Sequence, residues 1–244
     1  MRILLIRHGE PNYAIDGLTE KGEREAELLA KRLSSEKIEK IYSSPLGRAR
    51  LTAAPTAEAL KMEVEVLPFM REFNEKTVKL PYMEEPAIAW DIWPAYMNEH
   101  PEAYELSIWQ ETPHIKESEV YKEYICVCCE FDKILARHGY EREGYNYRAV
   151  RPNHDTVAIF CHFGVIAVLL SHLFNCSPYS LWQHTCALPT SVTTVYTEER
   201  REGMALMRAT GFGDISHLYA AAEPPSFSGR FCECFTDDTR HGKS

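Results

Sequence analysis

The chain has 244 residues, 45% of them hydrophobic and 26% charged, an ordinary composition that favours neither a disordered nor a fibrous class. A formal net charge of −9 excludes a broad basic surface for a nucleic-acid backbone, so any anion-binding site must be a local cluster of Arg and His side chains. We therefore expect a small-molecule partner and no nucleic acid.

The first part of the sequence alternates between strand and helix patterns. Thr19 is placed to cap one helix, and Ser44 followed by Pro45 predicts the start of another, with Pro45 at its first position. In chain order we predict a strand over 2–7, a helix over 19–34, a strand over 38–43, a helix from 44 to about 60 and a strand over 62–67. This order favours a parallel sheet with helices on both faces.

The pattern then changes and later resumes. Residues 74–153 are rich in Pro, Glu and aromatic residues, with helical periodicity strongest over 117–137, and predict a helical insertion. Later we predict a strand over 155–161, a helix over 165–175 and two strands over 191–197 and 204–210. The tail after His217 is expected to be ordered only by docking.

These elements predict one α/β domain over 1–244, a three-layer sandwich whose mostly parallel central sheet has helices on both faces. The segment 74–153 would be an insertion within it that covers the active site. The first apolar run is too short for a signal-peptide core, and no segment reaches the roughly 18 apolar residues of a spanning helix, so we expect a cytoplasmic protein without a membrane contact. The eight cysteines are expected to be reduced thiols, and Cys126, Cys128 and Cys129 lack a matching pair at zinc-finger spacing.

Several polar side chains follow the predicted parallel strands. Ligands of open α/β sheets bind beyond the carboxyl ends of the strands, so these side chains should converge on one crevice. They are Arg7 and His8 after the first strand, Arg48 after the second, Glu72 near the third and His162 after the fourth.

That residue set suits phosphoryl transfer. Two Arg side chains offer planar sets of donors to phosphoryl oxygens, and a second imidazole adds another hydrogen bond as negative charge develops. A neutral imidazole can attack phosphorus and form a covalent intermediate, while a carboxylic acid protonates the leaving oxygen. The positive charge of the arginines predicts a reaction without a metal ion or other cofactor.

Four motifs in the right order, each at a predicted element end, resemble the histidine phosphatase superfamily, also called phosphoglycerate mutase-like. The resemblance covers residues 1–72 and about 155–218. The motifs are Arg7-His8-Gly9-Glu10, Leu18-Thr19-Glu20-Lys21-Gly22, Ser43-Ser44-Pro45-Leu46-Gly47-Arg48-Ala49 and Cys161-His162-Phe163-Gly164.

The resemblance implies that His8 is the phosphorylated nucleophile. It also implies that Arg7, Arg48 and His162 bind the phosphoryl group and that Glu72 donates a proton to the leaving group. Gly9 and Asn12 are added as predicted substrate-binding residues. Because Glu72 must begin protonated, we expect its pKa to be raised, through its closeness to the phosphate dianion.

Other assignments stay open at this point. Glu75, Glu84 and Glu85 lie close to Glu72 in sequence and are alternatives for the proton donor. The insertion's aromatic residues belong either to its own core or to a lid, with Trp90, Trp93 and Trp109 as the lid candidates. Arg148 and Arg151 are candidates for a second anionic group.

Three functions are compatible with this site. The favoured one is a phosphatase acting on a small phosphorylated metabolite. A phosphoglycerate mutase is disfavoured because Glu72-Phe73-Asn74-Glu75-Lys76-Thr77 lacks the Gly-Leu-x-Gly stretch of cofactor-dependent mutases. A non-catalytic phospholigand-binding protein is the third, and retention of both His and both Arg residues argues against it.

A cysteine nucleophile is the rival chemistry. Cys234 and Arg240 have the spacing of cysteine-dependent phosphatases. The acidic residues Asp237 and Asp238 between them would repel a phosphate, however, and no glycine lies in that stretch.

Overall fold

The computed structural model describes residues 1–234 and residue 236. The strands are β1 (Arg2–Arg7), β2 (Pro11–Asn12), β3 (Gly17–Leu18), β4 (Lys40–Ser43), β5 (Val64–Val66), β6 (Thr77–Val78), β7 (Ala87–Ile88), β8 (Tyr140–Glu143), β9 (Asn146–Ala149), β10 (Thr156–Cys161), β11 (Val192–Arg201) and β12 (Met204–Asp214). The helices are α1 (Glu20–Leu33), α2 (Gly47–Leu60), α3 (Pro94–Glu99), α4 (Pro113–Lys116), α5 (Val120–Arg137), α6 (Phe163–Phe174), α7 (Tyr179–Trp182) and α8 (Ser216–Ala220).

The central sheet is mixed. Its strand order is β5-β4-β10-β1-β11-β12-β9-β8. The half from β5 to β1 is parallel, whereas the pairings from β1 to β8 are all antiparallel. The α/β fold is therefore confirmed, but the description of the sheet as mostly parallel holds for only one half of it.

Alternation along β1 divides the core between the two faces of the sheet. Ile3 and Leu5 belong to a core cluster that includes side chains of α5 and α6. Leu4 and Ile6 belong to a second cluster with side chains of α1 and α2. Successive residues of β1 point to opposite faces of the sheet, and both faces are covered. The residues from Ile3 to Arg7 are therefore all buried and form one continuous run in the sequence. Helices thus cover both faces, as predicted.

Helix α1 begins as the sequence predicts, whereas α2 does not. The Thr19 side chain caps α1 by accepting a hydrogen bond from the Gly22 N–H. Helix α2 begins at Gly47 and not at Pro45, and Leu46 occupies the cap position without a side-chain hydrogen bond. The prediction of Ser44 as the cap is wrong because its hydroxyl is engaged elsewhere, by the Leu46 N–H and by His162.

The segment 74–153 is mainly helical in its middle part, through α3, α4 and α5. Its last part differs from the expectation. Strands β8 and β9 form a hairpin that joins the edge of the central sheet through β12. Within the described residues, no helix is long and apolar enough to cross a membrane.

The last third of the chain places two long strands beside β1. Strands β11 and β12 are longer than predicted and pair with each other as an antiparallel hairpin. The tail beyond α8 returns to the carboxyl end of β1, where the Ser228 carbonyl accepts a hydrogen bond from Arg7. The eight cysteines all lie within the described residues and form no disulfide with one another.

Candidate active site

The carboxyl ends of three neighbouring parallel strands bring the predicted site residues together. Strand β1 leads into His8 and β10 leads into His162, and the two imidazole rings lie 5.1 Å apart between centroids. Strand β4 leads through Ser44 to Arg48 in the first turn of α2. The convergence expected from the strand order is therefore present in the structure.

His8 has one ring nitrogen fixed by the backbone. Its Nδ1 lies 2.7 Å from the Gly9 carbonyl oxygen, which can only accept a hydrogen bond. Nδ1 therefore carries the proton, and Nε2 keeps an unshared electron pair. Burial, followed by the positive charge of Arg7, lowers the pKa of His8 to about 3, so the ring is neutral near pH 7.

His162 is the N-cap residue of α6 and is fully buried. Its Nε2 lies 2.7 Å from the Ser44 hydroxyl, which explains why that serine does not cap α2. Nδ1 of His162 has no hydrogen-bond partner among the described residues. Burial, together with the nearby His8 and Arg48, lowers the pKa of His162 well below its ordinary value.

The two predicted arginines are both almost buried, at 5% exposure for Arg7 and 7% for Arg48. Arg7 donates through Nη1 to the carbonyl oxygens of Ala187 at 2.7 Å and Ser228 at 3.1 Å. The Nε atoms of both arginines lack a protein partner in the described chain. Each guanidinium is thus held on one side and has donors left for an anion.

Asp16 positions Arg48 and was not anticipated from the sequence. One carboxylate oxygen accepts from Arg48 Nη1 and the other from the Gly47 N–H, both at 2.6 Å. These contacts, although opposed by partial burial, leave the pKa of Asp16 lowered. At the start of α2, the Gly47 N–H is therefore occupied by Asp16 and is not free to bind an anion.

The turn after His8 packs directly on the start of α1, where Gly9 lies against Gly22. A Cβ atom on Gly9 would lie 2.7 Å from the Gly22 carbonyl oxygen, and one on Gly22 would overlap the Glu10 backbone. The Gly9 N–H donates to the Thr52 hydroxyl at 2.9 Å. Small residues here allow the loop that carries His8 to rest on two helices.

Glu72 lies beside the start of α6. Its Oε1 accepts from the Phe73 N–H at 2.8 Å and would be 2.7 Å from a Cβ atom on Gly164. Burial raises the pKa of Glu72, although the hydrogen bond from Phe73 and the charges of Arg7 and Arg48 act in the opposite direction. A raised pKa for Glu72 agrees with the expectation from the sequence. The cause in the structure is burial, however, and not a nearby phosphate dianion.

A cavity of about 910 Å³ adjoins the site, and neither His8 nor His162 is among its lining residues. Arg7, Arg48 and Glu72 line it, whereas the other proton-donor candidates, Glu75, Glu84 and Glu85, are exposed and do not. Of the lid candidates, Trp90 and Trp93 line the cavity.

The remaining predicted residues lie away from the cavity. Trp109 is 1% exposed and packs edge-on against Tyr124 in the core. Arg148 pairs with Glu141 at the sheet edge, and Arg151 donates to the Arg137 carbonyl. The Asn12 side chain accepts from the Ala14 N–H and closes a local turn.

The C-terminal tail forms a wall that the sequence analysis missed. Gly229, Arg230 and Phe231 line the cavity. Gly229 has a φ angle of +87°, which favours glycine, and a Cβ atom there would lie 2.8 Å from Arg7 Nη1. The Pro and Gly residues of the tail indicated only a loop, and no periodic pattern could have placed it here. Arg240, Asp237 and Asp238 lie outside the described residues.

Metal binding has no support in the described part of the chain, where no group of three or more His, Cys, Asp or Glu side chains could hold an ion. Cys126 and Cys129 are exposed on α5 while Cys128 is buried in the core. The three thiols therefore do not point to a common ligand.

Comparison with known sequences agrees with the motifs. Residues 3–114 match the family model for the histidine phosphatase superfamily, branch 1. Phosphoserine phosphatase 1 of Hydrogenobacter thermophilus is 27% identical over 221 residues, which are 86% of this chain and 93% of that protein. A probable phosphoglycerate mutase of Photorhabdus laumondii is 39% identical over only 83 residues, 30% of this chain and 39% of that protein.

Solved structures share the fold. A phosphoserine phosphatase variant from Entamoeba histolytica, in complex with phosphoserine, has a TM-score of 0.60 at 19% identity, covering 89% of this chain and 98% of that one. A mycobacterial glucosyl-3-phosphoglycerate phosphatase has a TM-score of 0.58 at 19% identity, covering 87% and 98%. At this level of identity the likeness establishes the α/β architecture.

Proposed function

Because the chain belongs to the histidine phosphatase superfamily, we propose that it hydrolyses a small phosphate monoester through a phosphohistidine on His8. The observation that carries this proposal is the hydrogen bond from His8 Nδ1 to the Gly9 carbonyl. It leaves Nε2 unprotonated in a ring whose lowered pKa keeps it neutral, the form required of a nucleophile.

In the first step, the electron pair of His8 Nε2 forms a bond to phosphorus as the bond to the ester oxygen breaks. Glu72, protonated because its pKa is raised, gives its proton to the departing oxygen, and the alcohol leaves. The free donors of Arg7 and Arg48 bind the phosphoryl oxygens and offset the charge that develops on them.

In the second step, a water molecule attacks phosphorus and the bond to Nε2 breaks. The Glu72 carboxylate takes a proton from that water, which regenerates the acid and releases inorganic phosphate. The lowered pKa of His162 keeps its ring neutral, and a bound phosphoryl dianion favours its protonated form, so that it becomes a further donor to the anion.

Hydrolysis of para-nitrophenyl phosphate in the presence of EDTA tests the proposal. We expect steady release of phosphate, its loss by at least about 10³-fold in His8→Ala, and a labelled phosphohistidine after rapid quenching of the wild-type enzyme. Ser180→Ala, on the short helix α7 and not among the cavity residues, serves as the control and should keep the activity.

Other results would point elsewhere. Strict dependence on Mg²⁺ would contradict the metal-free mechanism. Phosphoryl exchange between phosphoglycerates in place of hydrolysis would favour the mutase that the shorter sequence matches suggest. Binding of phosphate esters without any turnover would indicate a phospholigand-binding protein.

A further inference from the structure

We propose that the alcohol released by this enzyme carries an aromatic or other apolar ring, and that Trp90 selects it. This inference rests on the proposed function, because it names the substrate class of the same site. It concerns the part of the cavity that is lined by residues other than Arg7, Arg48 and Glu72.

Aromatic side chains form much of that part of the cavity. They come from separate segments of the chain and line one continuous space: Trp90, Trp93, Phe163, Trp182 and Phe231. Trp93 and Phe231, at 57% and 60% exposure, lie at the rim, whereas Trp182 is 4% exposed at the base. Such a surface gains free energy by covering apolar atoms and ring faces.

Trp90 is held rigidly beside the proposed proton donor. Its indole packs edge-on against Phe163 at 6.3 Å and tilts against Trp182 at 6.0 Å between ring centroids. Its carbonyl oxygen accepts a hydrogen bond from Gln183 Nε2 at 2.8 Å. The indole is thus packed against two rings, and the hydrogen bond from Gln183 anchors the backbone that carries it.

Gly164 shows how close Trp90 lies to Glu72. A Cβ atom built on this glycine would be 2.5 Å from two ring carbons of Trp90 and 2.7 Å from Glu72 Oε1. The indole and the carboxyl group therefore share the space above one backbone position. Because the leaving oxygen must contact Glu72, the carbon skeleton attached to it has to lie along Trp90.

The charges in the cavity disfavour a short alcohol that bears a carboxylate. Beyond Arg7 and Arg48, Arg230 is the one remaining Arg or Lys among the described lining residues, and it is already paired with Glu233 at 2.9 Å. Asp91 adds an acidic group to the same lining. Phosphoserine and phosphoglycerate would place a carboxylate here with weak compensation.

Two alkyl phosphate esters that differ only in the presence of a ring allow recognition of the ring to be measured. Their leaving groups are chemically alike, so a difference in kcat/KM reports the ring. Ethyl phosphate and 2-phenylethyl phosphate both release a primary alcohol that needs an acid. We expect kcat/KM to be about 10-fold or more higher for the phenylethyl ester, since covering a ring is worth at least about 1.4 kcal/mol. Phosphoserine and 3-phosphoglycerate should fall below it.

Variants test whether Trp90 causes this preference. In Trp90→Ala the ratio of kcat/KM between the two alkyl esters should fall toward 1, and Trp90→Phe should restore part of it. Tyr145→Ala removes an aromatic ring that is 69% exposed and lies outside the cavity lining, and it should keep the wild-type ratio. Circular dichroism of each variant checks that the fold is intact.

The possible failures are distinct. A wild-type ratio near 1, or phosphoserine or 3-phosphoglycerate as the ester with the highest kcat/KM, overturns this inference and leaves the phosphatase proposal standing. A ratio that Trp90→Ala does not change removes Trp90 as its cause and overturns the inference as stated. If no ester is hydrolysed, para-nitrophenyl phosphate included, the proposed function itself fails and this inference fails with it.

Discussion

His8 and Glu72 show one physical effect acting in two useful directions. Burial penalises the charged form of each group, so it lowers the pKa of the histidine to about 3 and raises the pKa of the carboxyl group. At neutral pH the histidine is in its basic form, while the carboxyl group keeps its proton to a higher pH than an ordinary glutamic acid does. A nucleophile and an acid thus coexist in the unliganded site without exchanging a proton.

Replacing Glu72 by Gln removes the acid while keeping the shape of the side chain. For alkyl phosphates we expect kcat to fall by about 10²–10⁴-fold, whereas para-nitrophenyl phosphate should lose far less because its leaving group needs no proton. In the wild type, alkyl-ester rates should decline as pH rises through the raised pKa of Glu72. This basic limb should be absent from the pH–rate profile of Glu72→Gln.

Glu75→Gln is the matched control for that variant. Glu75 is exposed, lies three residues further on and pairs with Arg71 at 2.5 Å on the surface. It should leave both esters and the pH profile unchanged. Equal losses on alkyl and aryl esters in Glu72→Gln would assign the acid to another group.

Among the elements, the start of α1 supports the loop that carries His8. Alanine is the better helix former by up to about 1 kcal/mol, so Gly22→Ala would stabilise an isolated helix. Here its Cβ atom would overlap the Glu10 backbone, and overpacking of this kind costs about 1–3 kcal/mol. We expect a net loss of about 1–2 kcal/mol in the free energy of unfolding, measured by urea titration.

Gly211→Ala is the comparison for this substitution. Gly211 lies in β12, and a Cβ atom there would meet nothing within 4 Å. Its unfolding free energy should change by less than about 0.5 kcal/mol. A stabilised Gly22→Ala protein would mean that helix propensity outweighs the contact with the loop.

The elements that the sequence predicted are those with strong local signals. The buried run of β1 and the Thr19 cap of α1 depend on a few neighbouring residues, and both are confirmed. The start of α2 was misplaced because Ser44 serves His162, which lies 118 positions away in the sequence. The pairing of β9 with β12 is equally remote in sequence, and periodicity does not report such partners.

The residues of the site also divide into those that local sequence signals predict and those that depend on contacts remote in sequence. Arg7, His8, Arg48 and His162 each adjoin a strand end, so the topology rule brought them together. Asp16 and the tail reach the site through long-range contacts that no motif marks. Trp109 and Trp90 lie in similar sequence contexts. Only the packing of the folded chain shows that Trp109 belongs to the core and that Trp90 lines the cavity.

At the scale of the whole molecule, Glu25 links three distant parts of the chain. It is fully buried on α1 and accepts from the Glu10 N–H at 2.9 Å beside the His8 loop, and the nearby Ser226 backbone of the tail favours its charged form. Burial raises the pKa of Glu25 to about 7 despite these contacts. The folded protein therefore binds this proton more tightly than the unfolded chain does.

This linkage sets a direction for stability against pH. With a folded pKa of about 7 and an unfolded value of 4.5, the Glu25 contribution falls as pH rises through that window, on the order of 3 kcal/mol in total. Glu25→Gln keeps an acceptor for the Glu10 N–H and carries no charge. It should therefore raise the thermal midpoint at pH 8 and change it little at pH 5.

Glu27→Gln, exposed on the same helix, should show no such dependence on pH. If Glu25→Gln shifted the midpoint equally at both pH values, the ionisation of Glu25 would not be the cause.

The central position of β1 has a consequence for biosynthesis. Strand β1 leaves the ribosome well before β10 and β11, the two strands that flank it in the sheet. Until those strands emerge, the apolar residues of β1 cannot be covered on either edge, and His8 has no His162 beside it. We expect the nascent chain to need protection from aggregation through most of translation, and folding to be slow because its decisive contacts are remote in sequence.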